Sequence, residues 1–291
     1  MKLARFAYQG TTWLGQVNTD TDSIDGLIEE SGDEDFAIRF MTAAPEQQRE
    51  TSVEITLPLS DVQLLPPIRR PSKNIICIGK NYAAHAAEFS GSGYDSSSKN
   101  KDDVVPDALI AFSKAPGTMI GAFDDILPPW NLSLQIDYEA ELGVIIGRDG
   151  RDISRENVFD YIWGYTIIND VTARDLQSQH QQWLIGKSMD TFCPIGPWIV
   201  SADEVDPANL DISCWVNDEL RQHANTRDLI FDVPSIVSTV SGGMTLRAGD
   251  IISTGTPAGV GIGFNPPKFL KAGDNVRIAI ESIGEIKNTL R

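Results

Sequence analysis

Cysteine, histidine and long apolar runs are all scarce in this chain. Its three cysteines, Cys77, Cys193 and Cys214, are odd in number, widely spaced and free of any C-x-x-C, which excludes a disulfide framework and a zinc knuckle. A reducing compartment fits. Three histidines in 291 residues leave little for a nitrogen-ligated zinc or copper centre. No window of about 20 apolar residues marks a helical membrane span, and 41% hydrophobic with 22% charged residues is ordinary globular usage. Cations are also few: 24 Lys and Arg against 41 Asp and Glu give a formal charge of −17, a field that repels nucleic acid and anionic lipid. Most of those acids form a solvated surface. A small anionic substrate would nonetheless need local cations or a bound metal, so some acids are expected as metal ligands. The opening Met1-Lys2-Leu3-Ala4-Arg5-Phe6 has no hydrophobic signal core, and the acids that soon follow argue against a transit peptide. The expected location is cytoplasmic.

The chain divides near Pro66-Pro67 and Arg69-Arg70-Pro71, which read as a linker. Residues 1–68 are expected to be a small β-rich domain, with strands over Leu3–Tyr8, Thr12–Val17 and Val53–Leu57. Residues 69–291 form the larger domain. There Asn74–Gly79 is a buried strand that delivers Lys80-Asn81-Tyr82 to its mouth, and residues 83–89 have room for one or two helical turns. The stretch 90–103 is rich in Ser, Gly, Asn and charge, either a functional lid or a surface insertion. Apolar runs at 142–147, 161–168, 198–200, 212–216, 250–255 and 276–280 predict more strands than helices. Helices are expected over 172–182 and 233–241, tight turns at 246–250 and 270–274, and a bend at Phe192–Pro197.

In Asp137-Tyr138-Glu139-Ala140-Glu141-Leu142, strand alternation puts three carboxylates on one face, running into the apolar Leu142–Ile146. Such a row is often a solvated edge. At the threshold of a core, however, like charges repel unless a cation neutralises them. Hard oxygen ligands point to Mg²⁺ or Mn²⁺, and Asp170, after the run ending in Ile168, offers a third carboxylate. His85 and Glu88, three apart, share a helix face and suit a general base with an orienting carboxylate. Arg174 and Gln177 have the same spacing and are placed to reach that pocket, with Arg suited to a carboxylate. Lys187 offers a second cation. The loop Gly255-Thr256-Pro257-Ala258-Gly259-Val260-Gly261 offers backbone N–H groups and the Thr256 hydroxyl, without the spacing of a nucleotide P-loop.

With those residues assembled, the chain resembles the fumarylacetoacetate hydrolase superfamily over about residues 71–291. Five motifs arrive in family order: Gly79-Lys80-Asn81-Tyr82-Ala83-Ala84-His85, Asp137–Leu142, Asn169-Asp170-Val171-Thr172-Ala173-Arg174-Asp175, Gly186-Lys187-Ser188 and Thr254–Gly261. The resemblance implies an α+β, mainly β architecture, a mixed β-roll behind the β-rich N-terminal domain, usually in a homodimer. It implies Mg²⁺ (or Mn²⁺) on Glu139, Glu141 and Asp170, and sets Asp137 outside the ligand set. It makes His85 and Glu88 a catalytic dyad on a lid. Arg174, Gln177, Lys187 and Thr256 become substrate-contacting positions, with Lys187 also counted as catalytic.

The activity so implied is metal-dependent chemistry on small 2-oxo (diketo) acids through an enolate that the metal stabilises. Carbon–carbon bond hydrolysis of acylpyruvates or fumarylpyruvate-type substrates is the first expectation, with His85 and Glu88 activating water. Oxaloacetate tautomerisation or decarboxylation, and isomerisation or hydration of unsaturated 2-oxo diacids, are the alternatives. The Gln182–Pro194 and Pro266–Lys271 stretches are similar to a subgroup associated with oxaloacetate tautomerisation.

Overall fold

A computed structural model describes residues 1–95 and 104–291. The chain is α+β and mainly β. Its centre is the strand Ala140–Ile146, in which every residue is buried, and whose neighbours are Ile162–Asn169 on one side and Ile251–Ser253 on the other. A strand covered on both faces needs a continuous apolar sequence, which Leu142–Ile146 supplies. From Ile251–Ser253 the sheet continues, in parallel, to Ile75–Gly79, which then pairs antiparallel with Ile110–Lys114. On the other side it passes through Cys193–Ser201 to Lys2–Tyr8, and on through Thr11–Asn18 and Ser23–Glu29 to Ile55–Pro58. The strands of residues 1–68 thus extend the same hydrogen-bonded sheet, joined at Lys2↔Val200 and Leu3↔Ile199. Residues 36–50 add two short helices, Phe36–Thr42 and Pro45–Glu50.

A second sheet of four antiparallel strands runs in the order Glu219–Asn225, Asp211–Val216, Asn275–Ile280 and Gly284–Thr289. Alternation places Val276, Ile278 and Ile280 on its buried face, in one core with Leu142, Val144 and Ile146 of the central strand. Packing two sheets on one apolar core fixes the loops at the end of the central strand, where the acidic residues lie.

Three local expectations change. Asp137, Glu139 and Glu141 do not belong to one strand: Ile136–Asp137 pairs with Thr172–Ala173, and the long strand restarts at Ala140. The helix expected over 172–182 is shorter, Arg174–Gln179, and ends before Gln181 takes a left-handed φ of 55°; a separate short helix, Leu184–Lys187, follows outside that range. The supposed bend at Phe192–Pro197 is mostly strand Cys193–Ser201, nearly all of it buried. The helix Val233–Ser241 falls where its sequence predicts, capped by Asp232 and opened by Pro234. Among the described residues no helix is long and apolar enough to cross a membrane.

Candidate active site

Strand register assembles the acidic cluster. Ala140 pairs with Asn169 and Glu141 with Ile168, so Glu139 and Asp170 face each other as the next pair along. Two bonds hold them there: Asp170 N–H donates to the Glu139 carbonyl (2.9 Å), and Glu139 N–H donates to Asn169 Oδ1 (3.1 Å). Carboxylate oxygens of Glu139, Glu141 and Asp170 lie within 4.8 Å of one another, all buried. Asp137 turns away. Its Oδ1 accepts from Tyr138 N–H (2.9 Å) and Gly261 N–H (2.6 Å), and its Oδ2 accepts from Ile262 N–H (3.1 Å) and Arg174 Nε (2.9 Å).

Buried cations surround the cluster. Lys187 Nζ donates to Glu139 Oε2 and Asp170 Oδ2, each at 2.7 Å, and Arg174 Nη2 lies 2.7 Å from Glu139 Oε1. Lys114, at the end of Ile110–Lys114, donates to the Val171 carbonyl (3.0 Å) and to the Lys187 carbonyl. Its Nζ stands 2.7 Å from Asp170 Oδ1, an ion-pair contact not aligned as a hydrogen bond, so that oxygen is buried without a hydrogen-bond donor. Glu141 is held differently, its Oε2 accepting from Ser253 Oγ (2.5 Å) and Gly255 N–H (2.9 Å).

These surroundings separate the two glutamates. Burial and the neighbouring Asp170 and Glu139 charges push the Glu141 carboxyl up to about 8. Burial acts the same way on Glu139, but Lys187 and Arg174 outweigh it and hold that carboxyl at about 2. The resident cations therefore satisfy Glu139 and leave Glu141 short of positive charge. An all-oxygen triad with one under-neutralised carboxyl and one donorless oxygen on Asp170 fits a hard divalent ion. Glu139, Glu141 and Asp170 would hold it.

The helix Ala83–Gly91 covers this centre and brings His85 to it. His85 Nδ1 is 3.2 Å from Glu88 Oε2, and the Glu88 carboxylate accepts Gly259 N–H at 3.0 and 3.2 Å. Gly259 is required there: φ is +104° and a Cβ would sit 1.9 Å from the Arg221 carbonyl oxygen. Thr256 Oγ1 accepts from Gln222 Nε2 (2.8 Å), which leaves its own proton free to donate. Gln222 reaches in from the second sheet and also accepts Ala140 N–H (3.0 Å). Arg174 Nη1 donates to Gln177 Oε1 (3.1 Å) and Nε to Asp137, while Nη2 has the ion-pair contact with Glu139 and no aligned hydrogen bond.

One cavity of about 20 Å³ is lined by His85, Glu139, Glu141, Arg174, Gln177, Lys187 and Thr256, so every expected site residue except Asp170 and Glu88 touches it directly. Phe89, Phe112 and Trp183 close it, the last two edge to face at 5.0 Å. The sequence had not singled out Lys114, Ser253, Phe112 or Trp183. Lys114 and Ser253 end strands of the same central sheet, and strand pairing is the signal that would have found them.

The Fumarylacetoacetate (FAA) hydrolase C-terminal family model matches residues 74–291. The chain belongs to the fumarylacetoacetate hydrolase family. It is 49% identical over 233 residues to the oxaloacetate tautomerase YisK of Bacillus subtilis, covering 80% of this chain and 74% of that one. Among solved structures it is similar to a fumarylacetoacetate hydrolase from Exiguobacterium antarcticum (TM-score 0.83, 40% identity, 100% and 99% of the two chains). It is also similar to a maleylpyruvate hydrolase from Sphingobium sp. SYK-6 in complex with manganese (II) ion and pyruvate (TM-score 0.79, 33% identity, 100% and 98%). The buried acidic triad of this family member has the donor set of a divalent-metal centre.

Proposed function

We propose that the chain is a divalent-metal-dependent enzyme that interconverts the enol and keto forms of oxaloacetate or a 2-oxo diacid of similar size. Tautomerisation thereby moves ahead of the acylpyruvate hydrolysis that sequence reading placed first. The carrying observation is the proton-transfer pair: one imidazole, His85, lies against the acidic triad with its Nδ1 3.2 Å from Glu88 Oε2. Tautomerisation needs a proton moved between C3 and the 2-oxygen and no attacking water. The 49% identity to an oxaloacetate tautomerase supports the same choice.

A Mg²⁺ or Mn²⁺ ion on Glu139, Glu141 and Asp170 would supply Lewis-acid polarisation of the 2-oxo group. The protein's own groups carry the rest. With Nδ1–H donated to Glu88, His85 presents Nε2 as the proton-exchanging atom, and Glu88 stabilises the imidazolium that forms. Gly259 N–H in turn holds Glu88, so the dyad keeps its orientation as the proton moves. The Lys187 ammonium and the Thr256 hydroxyl are donors for the substrate's oxygens. Arg174, held by Asp137, contributes positive charge that offsets the acidic cluster. The covering helix must move to admit a substrate, since a four-carbon diacid exceeds the closed volume.

Hydrolysis is the second reading, favoured by the 33% identity to a maleylpyruvate hydrolase. A homodimer remains part of the proposal, to be read from solution mass. The deciding assay follows enol-oxaloacetate absorbance and pyruvate together on Mg²⁺-loaded protein. Loss of enol without pyruvate supports tautomerisation. Pyruvate release from maleylpyruvate or an acylpyruvate, with no effect on the enol, supports hydrolysis instead.

A further inference from the structure

Lys80 has no part in the metal site or the His85–Glu88 pair, yet it lines the same cavity. It follows the strand Ile75–Gly79 in a left-handed conformation, φ 54°, uncommon for a non-glycine residue. That geometry turns its side chain inward, leaving it 3% exposed. Its ammonium pairs with Asp95 and lies 3.2 Å from Ser90 Oγ, which itself donates to Asp95 Oδ2 at 3.0 Å. The ammonium also stands 5.7 Å from the centre of the Phe89 ring, and the Arg174 guanidinium stands 6.0 Å from that same ring. Phe89, Ser90 and Asp95 all belong to the covering helix or the residues just after it.

A buried ammonium is costly without an anion close by. Here one such anion is the Asp95 carboxylate, in the segment just after the helix that covers the site. Asp95 lies four residues past the helix, so a shift of the helix would draw Asp95 off Lys80, while Lys80, directly after the strand Ile75–Gly79, would stay on the wall of the site. A 2-oxo acid whose first carboxylate and 2-oxygen face the acidic triad directs its far end to the remaining cavity wall.

We propose that Lys80 reads the distal carboxylate of a dicarboxylic 2-oxo acid, and that Asp95 holds this cation in the closed site until the substrate's carboxylate replaces it. The inference rests on the tautomerase reading and names the residue that would select its diacid substrate. Asp95 is then a built-in competitor, and discrimination between a diacid and its neutral counterpart comes from one ion pair.

The test compares kcat/KM for enol-oxaloacetate with that for its distal monoamide, the carboxamide in place of the far carboxylate. Wild-type protein should favour the diacid by about 30-fold or more, the cost of leaving a buried charge unpaired. Lys80→Met should collapse that ratio to within about threefold, mainly through a higher KM for the diacid, and Lys80→Arg should restore part of it. The double variant Lys80→Met/Asp95→Asn removes both charges together, guarding against a misfolded single variant, and should show the same collapse. Asp95→Asn alone should lower KM for the diacid. A wild type active on both compounds without preference, or variants at Lys80 that keep the preference, overturns the Lys80 assignment and leaves the tautomerase reading standing. A wild type inactive on both overturns the tautomerase reading and this inference with it.

Discussion

Replacing Asp137 by Asn tests how the site is built, because that carboxylate binds no metal in this account and still fixes three elements. All four of its hydrogen bonds are accepted: Tyr138 and Gly261 N–H at Oδ1, Ile262 N–H and Arg174 Nε at Oδ2. An Asn amide keeps an oxygen for one pair and turns an NH₂ toward the other pair, both donors. If the oxygen stays with Tyr138 and Gly261, a charge-assisted bond to Arg174 and a neutral bond to Ile262 are lost, leaving a buried guanidinium nitrogen facing a donor. Breaking one arm of a buried ion pair costs about 3–5 kcal/mol, and because Arg174 keeps Glu139 the lower end applies, about 3 kcal/mol. Urea unfolding of metal-free protein measures this as a lower midpoint at unchanged slope, and a thermal scan should show a fall of about 5–10 °C. Activity should fall as well, since Arg174 loses the contact that aims it, while Mn²⁺ affinity should change far less than in Glu139→Ala. A loss below about 1 kcal/mol would refute the claim that Asp137 is the structural anchor of Arg174 and the 259–262 loop.

Other consequences are open to measurement. Glu88→Gln should lower kcat about 10²- to 10⁴-fold while leaving Mn²⁺ binding intact; unchanged kcat would remove Glu88 from the chemistry. Gly263→Ala should act on the same group from behind, because the new Cβ would lie 1.6 Å from Glu88 Oε1 and must push the carboxylate off Gly259; an unaffected kcat in a folded variant would contradict that packing. Glu141 gives a pH signature. Its carboxyl is raised from 4.5 to about 8, so the metal-free folded state binds this proton more tightly than the unfolded chain does. That contribution to stability is full below pH 4.5 and is lost as pH rises to about 8. Metal binding below pH 8 should accordingly release close to one proton and strengthen up to about tenfold per pH unit, then level off. Calorimetry in buffers of different ionisation enthalpy reads the proton directly, and zero release at pH 6.5 would show that Glu141 is not a ligand or is already ionised.

Much of the candidate site's placement was legible because its residues are local in sequence. The E-x-E spacing, the His85–Glu88 interval and the run from Asp170 to Gln177 each span only a few residues, so short-range proximity brings their groups together even where, at Glu139, the strand is interrupted. The pairing of Glu139 with Asp170 needed the antiparallel register of Ala140–Ile146 with Ile162–Asn169, which no single segment encodes. Lys114 was hidden for the same reason: the strand it ends is half-exposed and its ammonium meets Asp170 only through tertiary packing. The break at Tyr138–Glu139 was missed because alternation describes an unbroken strand, whereas Tyr138 donates its hydroxyl to the Gly259 carbonyl and Asp137 turns to the 261–262 amides. The reading of 90–103 as a lid or an insertion falls largely on residues 96–103, outside those described; its first residues, Ser90, Tyr94 and Asp95, make definite contacts with Lys80 and Gln135. The linker reading at 66–71 came from proline content, which reports chain stiffness and not whether the strands on either side share a sheet.

The central claim is that Glu139, Glu141 and Asp170 hold one divalent ion on which the chemistry depends. It is tested most directly by titrating Mn²⁺ into chelator-stripped protein, following free Mn²⁺ by its paramagnetic resonance and enol-oxaloacetate turnover in the same samples. Wild-type protein should show one saturable site per chain and activity that returns in proportion to its occupancy, and Glu139→Ala should lose both. Full turnover in the stripped protein, or an undiminished site in Glu139→Ala, would contradict it.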